Sequence, residues 1–504
     1  MRFKLENNGA AIRMTEATSL DEIEYFKIKC SAKEFSFQAK KMIEETYQRY
    51  GNIALSGLWK RILDIQKVTN IPIFIDGFTT PETGLADLSI TKEVLDEFIE
   101  SNEFKFAPYW YQYESVFNSL KFKRSRSEVA TAGGKSFSIF LYARFLYQYN
   151  KIRKDKKILI ITIRKMLVNQ MISDISSYQT DDFLKCDSVF SGGKKLEGSN
   201  IVVGTYQSLS DMDKEYFDQF GAVIIDECHS AKIKSIKDDI VPKLNFEHCK
   251  YIWGLSGTHP PEGSIDDLTL EAYIGPIMFK ITASELQEEG TIADIRINMI
   301  NLHYSKEDAY DFWHLPEMAI KGAGTTHLKL ERQWLHENIK RNRVLLNIVN
   351  SFKGNQIILV ESVAYCEFIC NMINEAGIKE ARIIHGGIKD STREEIKIEL
   401  EEDENIVCCA TWETMSTGVS VNNIMATHFP DGGKSRYRIR QSLGRGLRLH
   451  KNKEYLTAFD YADIIHKDQE WPGPNVNKLR KQANARKEIY KEQKFPFKEI
   501  NYNL

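Results

Sequence analysis

Long apolar runs are missing from this sequence. No stretch approaches the roughly eighteen consecutive apolar residues that a membrane-crossing helix needs, and the opening MRFKLENNGA lacks the apolar core of a secretory leader. Net charge is missing too: 68 Lys and Arg stand against 70 Asp and Glu, a formal balance of −2. A polyanion can therefore be gripped only through a local patch. The eight cysteines (Cys30, Cys186, Cys228, Cys249, Cys366, Cys370, Cys408 and Cys409) form no C-x-x-C pair. That argues against structural zinc and for buried thiols in a reducing, cytoplasmic setting. Neither a repeat of solenoid period nor a low-complexity tract occurs, and 42% hydrophobic with 27% charged residues excludes wholesale disorder.

Local basic patches do exist: KFKRSR (121–126), KIRKDKK (151–157) and KLRKQANARK (478–487). Taken singly, each reads first as solvated surface. With 504 residues, the chain is too long for one core, so several domains are expected. Short apolar runs that end in small or polar residues, KILIIT (157–162), NIVVGT (200–205), GAVIID (221–226) and YIWGLSG (251–257), read as buried parallel strands. A second series follows in NQIILVE (355–361), ARIIHGG (381–387), NIVCCAT (405–411) and YLTAFD (455–460). Helical patterns alternate with them, which predicts two α/β domains in tandem over 104–285 and 286–465, with a polar stretch from Ser284 to about Arg343 joining them. Residues 1–103 mix strand-like FSFQ and IPIFIDGF with helical patterns over 31–51 and 91–102, so a small α+β accessory domain is expected there. Residues 466–504 read as a basic, largely helical extension.

The chemistry lies at the ends of the predicted strands. A phosphate cradle needs converging backbone N–H groups, a helix N-terminus behind them and a lysine. ATAGGKS supplies Ala132, Gly133, Gly134, Lys135 and a hydroxyl on Ser136, with the apolar helix FSIFLYARFLYQY following. The full G-x-x-x-x-G-K-[ST] pattern is not met, because its first position is Val129. On its own the segment is as compatible with a plain turn. Farther on, Asp226 and Glu227 close an apolar strand in AVIIDECH. One such carboxylate can hold a metal that bridges phosphates, and the other can position an attacking water. RIRQSLGRGLRLH offers Arg438, Arg440, Arg445 and Arg448; those at three-residue spacing, Arg445 and Arg448, lie on one helical face and could reach a γ-phosphate, or the stretch could be a basic surface helix.

The ordered set WYQ, AGGKS, DECH, LSGT, STGVS and QSLGRGLR, from about Pro108 to Asp460, resembles superfamily 2 helicases and translocases, most closely the recombination and repair helicases of T-even-type bacteriophages. The resemblance implies two RecA-like parallel-sheet domains, ATP and Mg²⁺ as cofactors, and nucleic acid as partner. By the same resemblance Gln112 reads adenine beside Trp110 or Tyr111; Lys135 and Ser136 hold phosphate and magnesium, Asp226 the magnesium, and Glu227 the attacking water. His229, Ser256 and Thr258 couple hydrolysis to movement. Gly418, Gln441, Arg445 and Arg448 come from the second domain, with Arg448 as arginine finger. Arg164, Thr205, Gln207, His385, Gly386, Thr411 and Thr417 touch the strand. The implied substrates are branched DNA (Holliday junctions, forks, D-loops, R-loops, the last an RNA–DNA hybrid), worked on by a monomer in a host cytoplasm, with small accessory or single-strand-binding proteins as further partners. Departures are Ala130 and Ala132, where helicase cradles commonly carry proline and glycine, Ile163 where motif Ia usually has proline, and Ser420 in place of an acidic residue. Two other readings stay open: a duplex translocase of a restriction or remodelling complex, and an ATP-set binding or annealing switch with little turnover; a P-loop kinase has no place for the second domain and its arginine motif.

Overall fold

In the computed structural model the described residues are 2–6, 11–17, 26–36, 41–46, 48–49, 53–69, 73–76, 86–189, 198–229, 233–316, 324–415, 421–433, 439, 442–444, 446–450, 453–466 and 476–504. The chain divides into two compact units, Met1–Ile281 and Thr282–Leu504. Each is built on a seven-stranded sheet in which every pairing is parallel.

The sheet of the first unit contains β1 (Arg124–Val129), β2 (Lys157–Thr162), β3 (Cys186–Val189), β4 (Ile201–Thr205), β5 (Phe220–Asp226), β6 (Tyr251–Ser256) and β7 (Ile277–Ile281), in the order β3-β4-β2-β5-β6-β1-β7. Helices α1 (Trp110–Phe122), α2 (Lys135–Gln148), α3 (Lys165–Tyr178) and α4 (Ile265–Tyr273) flank it. Strand alternation divides the apolar residues cleanly between its faces. Ile158, Ile160, Ile201, Val203 and Ile224 pack with α2, while Leu159, Ile161, Val202, Val223 and Ile225 belong to the core on the other face. Burial of such side chains stabilises by about 1.5–3 kcal/mol each.

The basic patch over 121–126 is only partly surface: Lys121 and Lys123 are half-buried and its arginines are buried. RSRSEV is β1, buried at every position between β6 and β7. The Arg124 guanidinium donates to the carbonyls of Ala272 and Ile274 at 3.4 Å and to that of Tyr273, and Arg126 donates to Gly275 O at 2.7 Å and to Asp267 Oδ1 at 3.0 Å. The two arginines thus occupy the C-terminal end of α4, where unpaired carbonyls and the helix dipole favour cations.

The N-terminal residues form a five-stranded sheet (Arg2–Glu6, Ala11–Glu16, Gln48–Arg49, Ile53–Leu55, Phe74–Asp76) with a helix at Trp59–Thr69. The segment with a helical pattern at 31–51 instead pairs as antiparallel strands Ser31–Ser36 and Lys41–Thr46, a register that sets Lys33 opposite Glu44 and Phe35 opposite Met42. This module shares the first unit's core through Phe3, Phe26, Leu58 and Trp59. Arg61 fixes it to α4, with Nε 2.6 Å from Glu271 Oε2 and a second nitrogen 3.3 Å from Asp267 Oδ2.

The second sheet contains β8 (Asp294–His303), β9 (Gln356–Val360), β10 (Glu380–Ile384), β11 (Ile406–Thr411), β12 (Ala426–Phe429), β13 (Tyr455–Ile464) and β14 (Phe497–Asn503), in the order β10-β11-β9-β12-β13-β8-β14. The order repeats that of the first sheet strand for strand. A short helix, Lys306–Trp313, follows β8; α5 (Gly324–Glu337), α6 (Ile339–Ser351), α7 (Val363–Ala376) and α8 (Lys478–Glu492) complete the unit. The stretch expected as a joining segment therefore contains β8, paired with β13 over its full length. The segment set apart as a basic extension supplies α8 and the edge strand β14. Within α8, Arg486 is fully buried against Asp460 at the centre of the unit, with Nε 2.9 Å from Oδ2, and the Tyr490 hydroxyl donates to the same carboxylate at 2.7 Å.

Gly57 touches α4 so closely that a Cβ would lie 2.1 Å from the Glu271 carbonyl oxygen. Gly57→Ala is expected to cost about 1–3 kcal/mol, read as a lower urea midpoint at unchanged slope. An unchanged midpoint would show that the N-terminal module does not seat there in solution.

Candidate nucleotide-binding site

Parallel strands place all their carboxyl ends on one edge of the first sheet, and the predicted site residues of this unit gather there. Beyond β1 the chain turns through Ala130–Gly134, closed by Gly133 N–H donating to Ala130 O at 3.0 Å, and α2 begins at Lys135. Gly134 caps it in the left-handed region at φ +71°, where a Cβ would meet Gln112 Nε2 at 2.3 Å. Ala132 is also left-handed, at φ +72°. For an L-residue with a Cβ this costs about 1–2 kcal/mol, so the departure from the usual glycine sits where the backbone is strained. Gln112 is buried against this loop. Its Nε2 donates to Gly133 O at 3.2 Å, and its Oε1 accepts from Tyr109 N at 3.0 Å, fixing the start of α1 to the cradle.

β5 delivers Asp226, and Glu227 follows at φ +52°, a second strained residue. Lys135 Nζ lies 3.5 Å from Glu227 Oε1. Asp226 Oδ1 accepts the Glu227 N–H at 3.1 Å. Asp226 keeps a small solvent-facing edge, yet burial in the surrounding protein atoms, and then the Glu227 charge, push its carboxyl up to about 7 against the pull of Lys135. His229 Nδ1 stands 3.4 Å from Glu227 Oε2 and is hydrogen-bonded to Ser256 Oγ at the end of β6. Ser256 Oγ in turn accepts from Thr258 N at 2.9 Å and donates to Thr258 O. A continuous chain of polar contacts thus links the cradle lysine to the loop after β6. Ser136 points elsewhere: its Oγ is 2.7 Å from the Tyr178 hydroxyl at the end of α3, and the Tyr178 ring packs edge-on against Phe137 at 5.1 Å. Tyr178 carries no motif that would have flagged it in the sequence.

The arrangement offers N–H groups and a helix N-terminus to a phosphate, a lysine to its charge, and hard oxygen donors on Ser136 and Asp226 of the kind that suit magnesium. Of the residues expected at the strand track, Arg164 and Gln207 are exposed beyond β2 and β4, and Thr205 caps the short helix after β4, accepting from Ser208 N at 3.3 Å. In the second unit, Thr411 ends β11 with its hydroxyl 2.8 Å from that of Thr414, while His385 and Gly386 follow β10, their carbonyls accepting from Arg393 at 3.1 Å each. Arg448 is half-buried. Burial first, and then Arg448, bring the Lys453 ammonium down to about 8. Thr417, Gly418, Ser420, Arg438, Arg440, Gln441 and Arg445 lie outside the described residues.

The chain is similar to several known proteins. Residues 92–261 match the family described as type III restriction enzyme, res subunit. The chain is 28% identical over 450 residues to the ATP-dependent DNA helicase uvsW of Enterobacteria phage T4, covering 85% of each chain. Two solved structures share the fold. One is a fragment of an HsdR subunit of a type I restriction enzyme from Vibrio vulnificus, with a TM-score of 0.55 at 14% identity over 94% of this chain and 78% of that one. The other is Dbp5 of S. cerevisiae bound to RNA and ADP BeF3, with a TM-score of 0.52 at 12% identity over 83% and 95%.

Two outcomes follow from the strain and the buried charge. Ala132→Gly relieves the left-handed alanine and is expected to raise stability by about 1 kcal/mol, measured by chemical denaturation; a loss of stability would refute the strain. For Asp226 the folded-state value of about 7 stands above the ordinary 3.8. Ionisation therefore costs stability progressively as pH rises between those values, and the whole cost persists above them. Asp226→Asn should accordingly unfold later than the parent at pH 8, with the gap closing toward pH 4. A gap independent of pH would contradict the assignment.

Proposed function

We propose that this chain, an ATP-dependent helicase of superfamily 2, spends ATP on remodelling branched DNA: Holliday junctions, forks, D-loops and R-loops. The observation that carries the reading is the contact chain Lys135–Glu227–His229–Ser256, which ties a phosphate cradle to a loop at the neighbouring strand ends. The 28% identity to a phage DNA helicase over most of both chains supports it. We place its work in a reducing host cytoplasm, consistent with eight free thiols, seven of them buried. No described helix is long and apolar enough to cross a membrane.

Lys135 and the N–H groups of Gly133 and Gly134 bind the β- and γ-phosphates, and Gln112 recognises the adenine after exchanging its bond to Gly133. Asp226 and Ser136 would hold the magnesium ion. Its double charge would neutralise phosphate oxygens and return Asp226 to the carboxylate form. Ser136 must leave Tyr178 to do so. Glu227, released from Lys135 when phosphate takes the ammonium, orients the attacking water. His229, Ser256 and Thr258 then transmit the change at Glu227 to β6 and its loop. Arg448 acts as the arginine finger on the developing charge, with Arg445, Gln441 and Gly418 in support. Arg164, Thr205, Gln207, His385, Gly386, Thr411 and Thr417 hold the strand backbone, so binding should weaken with salt and depend little on sequence.

Lys135→Ala is expected to lower DNA-stimulated ATP hydrolysis by on the order of 100-fold or more; hydrolysis at the parent rate would sink the assignment. Arg448→Ala should cut turnover by roughly 1000-fold with nucleotide affinity far less changed, whereas unchanged turnover would move the finger to Arg445. Unwinding of a forked duplex, run beside displacement of a triplex strand, separates this reading from a duplex translocase.

A further inference from the structure

A cavity of about 880 Å³ opens in the second unit between α5, α6 and α7. Its lining includes Glu361 and Ser362, the residues directly after β9. β9 pairs with β11 so that Val360, the residue before Glu361, stands opposite Thr411, one strand spacing, about 4.8 Å, from a residue proposed for the strand track.

The wall of this cavity is a ladder of flat rings. His336 lies on Tyr365 at 3.6 Å and 6° between planes, and Tyr365 is parallel to Phe368 at 6.0 Å and 11°. The inner rungs are fixed. His336 Nε2 is 2.8 Å from Asp431 Oδ1, and the Tyr365 hydroxyl donates to Asn342 at 2.9 Å while accepting from the buried Arg341 at 2.7 Å. Tyr365 is 3% exposed, but the outermost ring, Phe368, is 46% exposed and presents its edge of the ladder to the cavity. Ile339, in the same lining, is 75% exposed. Lys329 and Arg343 also line it; both are exposed, and among the described residues neither pairs with a carboxylate. Arg332, by contrast, is committed to Asp431 at 3.6 Å and Glu361 at 4.0 Å.

A rigid aromatic rung with open space beside it, an exposed apolar side chain and two uncommitted cations in the same lining, against the exposed carboxylate of Glu337, suit a flat heteroaromatic ring joined to a phosphate. We propose that the cavity takes one unstacked nucleotide of single-stranded DNA, its base on Phe368 and its phosphate near Arg343 and Lys329. The inference rests on the helicase reading above, since it needs a strand passing Thr411. A base held there would be removed from its complement, so the site would favour the separated over the paired state.

The test uses the full chain and a twelve-nucleotide single strand with an abasic position moved along it. Base-on-aromatic stacking predicts that one abasic position weakens wild-type binding about tenfold. Phe368→Ala should weaken the intact strand by the same factor and no longer sense the abasic position. Phe368→Trp should restore both affinity and sensitivity, with the indole fluorescence quenched on binding. Lys329→Ala with Arg343→Ala should flatten the salt dependence by about 0.7 for each phosphate-facing cation removed. Intact-strand affinity unchanged in Phe368→Ala, or a loss that is equally sensitive to the abasic position, overturns the pocket. So does a free mononucleotide that displaces the strand, because the site would then be one for a soluble nucleotide. Wild-type chain that binds no strand and hydrolyses ATP without stimulation by any DNA overturns the helicase reading and this one with it; a bound strand indifferent to Phe368 overturns this one alone.

Discussion

Parallel pairing is the constraint on which the rest depends. A sheet in which every neighbour runs the same way must return the chain after each strand through a crossover, and so collects all carboxyl ends on one edge. In the first unit that edge receives the cradle after β1, the carboxylates after β5 and the serine that ends β6, although these segments are far apart in sequence. The buried faces needed to stabilise such a sheet explain the dense Val, Ile and Leu runs. The open edge explains why each run ends in something polar.

What the edge holds is a balance of charge and strain. Lys135 offsets the two adjacent carboxylates only partly, so Asp226 stays poised near neutrality rather than fully ionised. Ala132 and Glu227 are both held in the left-handed region on either side of that lysine. Strain and unbalanced charge of this kind persist only where the surrounding packing over-determines the conformation, here the cores on both faces of the sheet. In the function proposed above, a polyanion bound with its counter-cation would relieve the charge and so give the nucleotide a thermodynamic handle on the loops that carry these residues.

The sequence was legible where apolar runs alone make a strand and where a motif stands at its end. β2, β4, β5, β6, β9, β10, β11 and β13 announce themselves in this way. The strands that escaped, β1, β3, β7, β8, β12 and β14, carry polar or charged residues whose partners lie far along the chain. Arg126 in β1 is explained by Asp267 and Gly275, and Asn301 in β8 by Glu499 and Asn501 of β14. Composition cannot show such pairing, so these segments read as surface or linker. The same limit applies at the site. Lys135, Asp226, Glu227 and His229 stand in recognisable spacing, whereas Tyr178 meets Ser136 only through the packing of α2 against α3.

The matching strand order of the two sheets has a consequence for anion docking. Where the first unit follows β1 with glycines, a lysine and a hydroxyl, the second follows β8 with Ser305 and a helix whose first turn holds Glu307 and Asp308. Ser305 caps that helix by accepting from the Asp308 N–H at 3.1 Å, so a helix start that has no side-chain cap in one copy is met by the chain's own acidic turn in the other. Among the described residues, a fold present twice thus differs where an anion could dock: one helix start stands open, and its counterpart is already plugged by its own chain.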